Sequence, residues 1–509
     1  MNIIILGGGT AGWCAAAYLS AKRPQHSYTV IESSKIGTIG VGEAATGMLT
    51  GLLDQLGIDR WEAMHKTDAL PKLAIKFENW RKEPGSYLHP IDSSYSSTND
   101  IDYMVYHSVA TGTSLDQTSR LSSLISIGAT NVAFDTDQNE LFQVGSLTLV
   151  VDPKKLADLL REHCLKHGVK IIDAEVTDII TDNGLVTSLV TEHVTIDGDL
   201  FIDCSGSARI LSQKLDAEWI DYEQYLPVNR GMPFLLENDT DERQPYITSR
   251  ALKHGWMWEA PTRHRIGRGY VYSDKFCTEQ EAIAELEEVF GQKIKVVKNL
   301  KFETGVLKNH FVGNVLTVGM GAGFLEPLQA TSIHATLVQL NDWVNLCLGA
   351  NVESTIDPVV KDNYNARCSR LYKDMMEFVA IHYVTDRDDT PFWKFVSTEL
   401  KRPPKVNEIV ELAKVRLLRN DDFDIYLGAA GAPLWIYSMA GLGLFDPELC
   451  ASTLKEYGYN FEHIDNEKQG RFYDILSHQD SMMSQTELNQ WFKYNQLATY
   501  AHPNIQQIK

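Results

Sequence analysis

The chain has 509 residues, 44% of them apolar and 22% charged, with a formal net charge of −20. That balance is ordinary for a soluble globular chain with room for two or three packed regions, and it disfavours nucleic acid and anionic membranes as partners. Seven scattered cysteines, odd in number and without C-x-x-C spacing, fit a reducing, cytoplasmic setting and no structural metal. No apolar run reaches the roughly 18 residues of a membrane span, and residue 1 leads into a strand rather than a signal peptide.

Met1 to Ala44 organises the rest. Ile3-Ile4-Ile5-Leu6 reads as a short buried strand, and Gly7-Gly8-Gly9-Thr10-Ala11-Gly12-Trp13 as the turn into a helix. Tyr28 to Ile31 is a second strand, ending in Glu32, 20 residues past Gly12. Strand, G-x-G-x-x-G turn, helix, strand and acid together specify an adenine dinucleotide site. Gly7 permits the tight turn, Gly9 admits a pyrophosphate, and Gly12 lets the helix approach the sheet. The helix N-terminus, from Thr10, Ala11 and Trp13, offers free N–H groups, and Glu32 accepts from a ribose hydroxyl. Next comes Ile39-Gly40-Val41-Gly42-Glu43-Ala44. It suits a loop laid against a flat ring, and also a turn preceding a helix over 46–56 with Glu43 near its positive end.

Residues 71–80 read as one strand, with Lys72, Ala74, Lys76 and Glu78 on one face. Taken alone, a lysine on a strand is usually solvated. Residues 81–108, with His89 in Tyr87-Leu88-His89-Pro90, read as loops. Asp152-Pro153 opens a helix that Gly168 stops. Strands follow at about 169–173 and 175–196, and Leu200 to Gly206 is a strand entering a glycine turn, either completing the nucleotide site or turning at a sheet edge. In Gly255-Trp256-Met257-Trp258-Glu259-Ala260-Pro261 two tryptophans share one side of a strand that Pro261 stops, and such pairs mostly fill core. Residues 265–273 read as a strand of the same sheet. Gly313 to Phe324 is a strand entering a second glycine-rich turn. Leu325-Glu326-Pro327-Leu328-Gln329-Ala330-Thr331-Ser332 leads into a helix over 333–348, whose free N–H groups near Thr331 and Ser332 suit an anion. Beyond about 350 the chain reads as helical, with a small-residue loop at 428–435.

Four separated pieces, G-G-G-T-A-G-W, G-V-G-E-A, G-W-x-W-x-x-P and G-F-L-E-P-L-x-x-T, together with K-x-A-I-K-F-x-N-W and D-T-P-F-W, resemble the flavin-dependent tryptophan halogenases. The resemblance runs from residue 1 to about 395. It implies an α/β fold: a Rossmann-like FAD-binding domain with an inserted β-sheet substrate region (1–395), and a mostly helical part packing over the substrate site (396–509). It implies FAD, reduced by a separate NAD(P)H-dependent flavin reductase, held by Gly7, Gly9, Thr10, Ala11, Gly12, Trp13, Glu32, Gly40, Gly42, Glu43, Ala44, Gly321 and Leu325. It implies that halide, bound at Thr331 and Ser332, is oxidised with oxygen to hypohalous acid, which Lys72 delivers to a small aromatic substrate. His89, Trp256, Trp258, Pro261, Glu326 and Pro327 would line the route. Gln329 stands where the family has its catalytic glutamate, Ala260 replaces the usual Ile, and the family's aromatic lid is not recognisable over 424–439. These departures lead to the expectation of electron-rich aromatics rather than free tryptophan, with bromide or iodide favoured over chloride. An aromatic hydroxylase and a catalytically impaired flavin binder are the alternative readings. The assembly state stays open, an oligomer included.

Overall fold

The computed structural model describes residues 1–36, 43–91, 104–105, 108–109, 112–135, 140–143, 147–329, 331–348, 356–423, 431–456, 458 and 482–501. The chain forms two compact units, each assembled from three separated stretches. The first comprises Met1–Asp68, Val151–Asn229 and Lys301–Val379; the second comprises Ala69–Val150, Arg230–Leu300 and Ala380–Lys509. The boundary expected near 395 falls inside the second unit.

In the first unit the apolar run Ile3–Ile5 is at most 2% exposed, because its strand is covered on both faces. Asn2–Leu6 lies in a six-stranded sheet ordered Lys170–Asp173, Ser27–Glu32, Asn2–Leu6, Leu200–Asp203, Val315–Thr317, Phe311–Val312. The first five are parallel, with Ile5 opposite Val30 and Ile202; the last is antiparallel. The helix Thr10–Lys22 packs against the helices Pro153–Lys166 and Thr331–Leu346. A three-stranded meander meets the sheet through Ile179, Val186 and Leu189, which pack with Ile4, Leu6, Ile31 and Phe201. The stretch read as one strand over 175–196 is this meander, Val176–Asp182, Leu185–Thr191 and Thr195–Asp197. The Asp152 carboxylate caps the Pro153 helix by accepting from the Lys154 and Lys155 N–H groups, as the sequence predicts. Leu200–Asp203 is interior to the sheet, so its glycine turn is not a sheet-edge turn.

The second unit is built on an eight-stranded sheet whose main path runs Ile294–Val296, Arg230–Leu236, Ile266–Tyr272, Gly255–Pro261, Tyr246–Ala251, Ala74–Glu78, Ser86–Pro90. Pairing along this path is antiparallel except between Tyr246–Ala251 and Ala74–Glu78. Period-two alternation gives the sheet two different faces. Met232, Phe234, Met257 and Tyr270 meet the helix Glu279–Phe290 through Ala282 and Leu286. The register puts Phe77, Ser249, Trp256 and Trp258 on one face and Lys76, Glu78, Arg250, Glu259 and Arg268 on the other. There they form a run of ion pairs: Lys76–Glu78 (2.8 Å), Arg250–Glu78 (2.7 Å) and Arg268–Glu259 (2.8 Å).

Three expectations change here. The strand over 71–80 breaks at Lys72 and resumes at Ala74, so Lys72 does not share the paired, half-buried setting of Lys76. His89 is not in a loop: Ser86–Pro90 is a strand, with His89 opposite Ile75. The loop expected at 428–435 gives way at Ala432 to a helix, Ala432–Gly441, with Pro433, Trp435, Ile436 and Tyr437 buried. Residues 424–430 and the turn residues Gly40 and Gly42 lie outside the described residues.

Candidate active site

Three turns meet at the carboxyl ends of the central strands of the first unit, where open α/β sheets take their ligands. Gly7, at φ +116, donates its N–H to the Ile31 carbonyl (2.8 Å), and a Cβ there would lie 2.2 Å from the Cys204 carbonyl oxygen. A Cβ on Gly12 would meet the Gly7 carbonyl at 1.8 Å, one on Gly319 the Ala11 side chain at 2.6 Å, and one on Gly321 the Gly206 carbonyl at 2.9 Å. The turns after Leu6, Asp203 and Val318 thus close on one another through backbone. Gly9 differs from these: a Cβ there meets nothing within 4 Å, as at Gly206. As N-cap of the Thr10–Lys22 helix it has no side chain to occupy the first-turn N–H groups. An open cradle beside a helix N-terminus fits the pyrophosphate of FAD.

Glu32 ends its strand beside this cradle. Its carboxylate accepts from the Trp13 indole N–H (3.2 Å) and the Arg161 Nε (3.1 Å), and Arg161 lies over the Trp13 ring at 6.0 Å. Arg161 carries no sequence signal, because it comes from a helix 129 residues further along the chain. Glu43 is half-buried beside Ala44, and desolvation raises its carboxyl to about 7. It also helps to push up the thiol of Cys14.

Downstream, Leu325 is buried, Glu326 is 2% exposed at φ +90, Pro327 is exposed, and Gln329 closes a short 3-10 turn. A glutamate with positive φ stores backbone strain of about 1–3 kcal/mol. The following helix begins at Thr331, and the Ser332 carbonyl accepts from the Thr336 hydroxyl (2.9 Å).

The second unit gathers the remaining residues. Lys72 is 2% exposed, and its backbone is clamped by Thr148: the Lys72 N–H donates to the Thr148 carbonyl (2.8 Å), and the Thr148 hydroxyl donates to the Lys72 carbonyl. Burial lowers the ammonium to about 7, so near neutral pH a large fraction is free amine. His89, also 2% exposed, is lowered to about 3, first by burial, then by His382, with Lys72 contributing. It is therefore a neutral imidazole near pH 7.

His382 is the residue that sequence reading missed. It is fully buried and stacks on Phe77 (4.7 Å, 27°). It also lies 6.4 Å from His89, and its Nε2 is 3.3 Å from the Ser438 hydroxyl. Histidines at 89 and 382 share no local pattern, so only the fold could bring them together. Trp256 is 1% exposed and donates its indole N–H to the Tyr383 hydroxyl (3.2 Å). Trp258 sits 6.3 Å from it, centroid to centroid, and Pro261 is buried at the strand end. Trp80 completes the wall, 6.4 Å from Trp256 and 5.8 Å from Trp393.

The family model described as tryptophan halogenase matches residues 2–451. The chain belongs to the tryptophan halogenase family. It is an enzyme, a flavin-dependent halogenase. It is 30% identical to tryptophan 6-halogenase ThaL of Streptomyces albogriseolus, over 82% of each chain. It is 29% identical to tryptophan 7-halogenase RebH of Lentzea aerocolonigenes, over 84% of this chain and 85% of that one. The solved structure of tryptophan 6-halogenase SttH from Streptomyces toxytricini superposes with a TM-score of 0.82 at 26% identity, covering 96% of this chain and 98% of that one. The α/β, Rossmann-like fold agrees with that of the halogenase. Among the described residues no helix is long and apolar enough to cross a membrane, and no group of side chains is arranged to hold a metal ion.

Proposed function

We propose that this halogenase acts on a small electron-rich aromatic through Lys72, with bromide or iodide favoured over chloride. The observation that carries the reading is the burial of Lys72, which holds its amine near neutrality. A free amine in a dry site can hydrogen-bond hypohalous acid. It can also attack its halogen, forming the N–halogen bond as the O–halogen bond breaks and water leaves with the amine proton. The aromatic carbon then takes the halogen and loses a proton. Reduced FAD, held by the three glycine turns with Glu32 at its ribose, would supply the electrons for oxygen activation, and a separate flavin reductase would renew it. The N–H groups at Thr331 and Ser332 would hold the halide.

The substrate preference rests on Gln329. Gln329 has no carboxylate with which to accept a proton or to offset a cationic ring, so weakly activated rings are expected to react slowly. Phenols and indoles stabilise their own intermediates. The Ala432–Gly441 helix brings Ser438 to His382, which supports a part for the helical C-terminal segment beside the histidines. The test is a competition of tryptophan against an indole and a phenol with each of the three halides, in the presence of a flavin reductase. A strong preference for tryptophan with chloride would overturn the reading. A parallel run with Lys72→Ala should oxidise flavin without making product.

A further inference from the structure

Glu32 ends the strand Ser27–Glu32, and its side chain folds back over the first glycine turn. A Cβ on Gly8 would lie 1.9 Å from the Glu32 Oε2 and 2.8 Å from its carboxyl carbon. The bare backbone of Gly8 is thus the surface on which the carboxylate rests, beside the open cradle at Gly9. The G-x-G-x-x-G pattern accounts for Gly7, Gly9 and Gly12. The Glu32 carboxylate accounts for Gly8, because any side chain there would displace it.

Two side chains from two helices hold that carboxylate. The indole N–H of Trp13, in the helix Thr10–Lys22, donates to Oε2 (3.2 Å). The Nε of Arg161, in the helix Pro153–Lys166, donates to Oε1 (3.1 Å). The guanidinium also lies 6.0 Å from the centre of the Trp13 ring, which closes a triangle. Trp13 is buried and therefore fixed by the core, whereas the Arg161 side chain is 42% exposed. An ion pair that open to solvent adds little to stability, so its consequence is orientation. A glutamate at a strand end otherwise spreads over several staggered rotamers, and the entropy lost in ordering it would weaken ligand binding. Each carboxylate oxygen carries two lone pairs. Here each oxygen accepts one bond and keeps one acceptor position, a pair that matches two adjacent hydroxyls on one ring.

We propose, on the assignment of the FAD ribose to Glu32, that Arg161 and the Trp13 indole are positioning residues that preset this carboxylate for the two ribose hydroxyls and so set the selectivity for them. The probes are FAD and its analogue whose adenosine half is 2′,3′-dideoxyadenosine, each titrated calorimetrically against the full chain. Wild type is expected to bind FAD about tenfold more tightly than the analogue, the worth of a charged hydrogen bond. Arg161→Met is expected to cut that preference to about twofold by weakening FAD alone, with the analogue's affinity and the melting temperature of the flavin-free chain unchanged. Trp13→Phe, which keeps a ring and removes the indole N–H, is expected to act in the same direction; if it does not fold, Arg161→Met decides. Glu32→Ala is the reference and is expected to lose the preference entirely. If Glu32→Ala loses the preference and Arg161→Met keeps it, the positioning role is overturned while the ribose assignment stands. If Arg161→Met weakens FAD and the analogue equally, its role is structural and the proposal is overturned. If wild type shows no preference, or Glu32→Ala retains it, the ribose assignment itself fails and the proposal with it.

Discussion

Gly269 lies directly opposite Trp258 across two antiparallel strands, and a Cβ on Gly269 would sit 2.0 Å from the indole. The Trp256–Trp258 wall therefore depends on a glycine from the next strand. The glycine's use is close approach: Trp258 occupies the space that any side chain there would need. Gly269→Ala is expected to tilt or expel Trp258, destabilise the fold by about 1–3 kcal/mol, and change the tryptophan fluorescence. An unchanged emission spectrum and melting temperature would show that the wall can repack.

The glycines of the first turn separate by mechanism. Gly9→Val is expected to leave stability within about 1 kcal/mol, since its Cβ enters open space, while abolishing FAD binding. Gly12→Ala forces a Cβ onto the Gly7 carbonyl and should cost about 3 kcal/mol with or without flavin. Melting curves with and without FAD distinguish the two. Gly9→Val that bound FAD normally would displace the pyrophosphate from this turn.

Lys72 makes stability depend on pH in a known direction. Its folded value of about 7 lies below the unfolded 10.5. Between these values the unfolded chain holds a proton that the folded one has lost, so stability rises with pH at about 1.4 kcal/mol per unit; below about 7 the contribution is flat and fully unfavourable. Lys72→Met is therefore expected to be more stable than wild type at pH 7 and to flatten the rise between pH 7 and 10. Denaturant titrations at several pH values measure this. An identical slope in the variant would place the titrating group elsewhere.

Bromide should bind at the start of the Thr331–Leu346 helix, on the N–H groups of Thr331 and Ser332. A bromide-soaked crystal with an anomalous peak there supports the assignment. Peaks only at distant surface sites would remove Thr331 and Ser332 from the halide route.

Much of the nucleotide side was legible in the sequence. The Gly7 turn, the Asp152 cap and the paired tryptophans are local patterns, because φ restrictions, first-turn N–H groups and period-two alternation act over a few residues. Lys72 drew attention only through its resemblance to a family motif. Its chemistry depends on burial, and its backbone is fixed by Thr148, 76 residues away. Glu32 was visible as an acid at the end of a strand, but its orientation by Arg161 was not. His89 was visible as a histidine, while His382 reaches it from a stretch about 290 residues later and is itself met by Ser438. Local sequence settled the elements around the nucleotide turn, because backbone preference is short-ranged, but not the Ser86–Pro90 strand or the Ala432–Gly441 helix. The amine of Lys72, the setting of the histidines and the space for Trp258 were decided only by tertiary structure, since desolvation and close approach depend on which distant segments pack together.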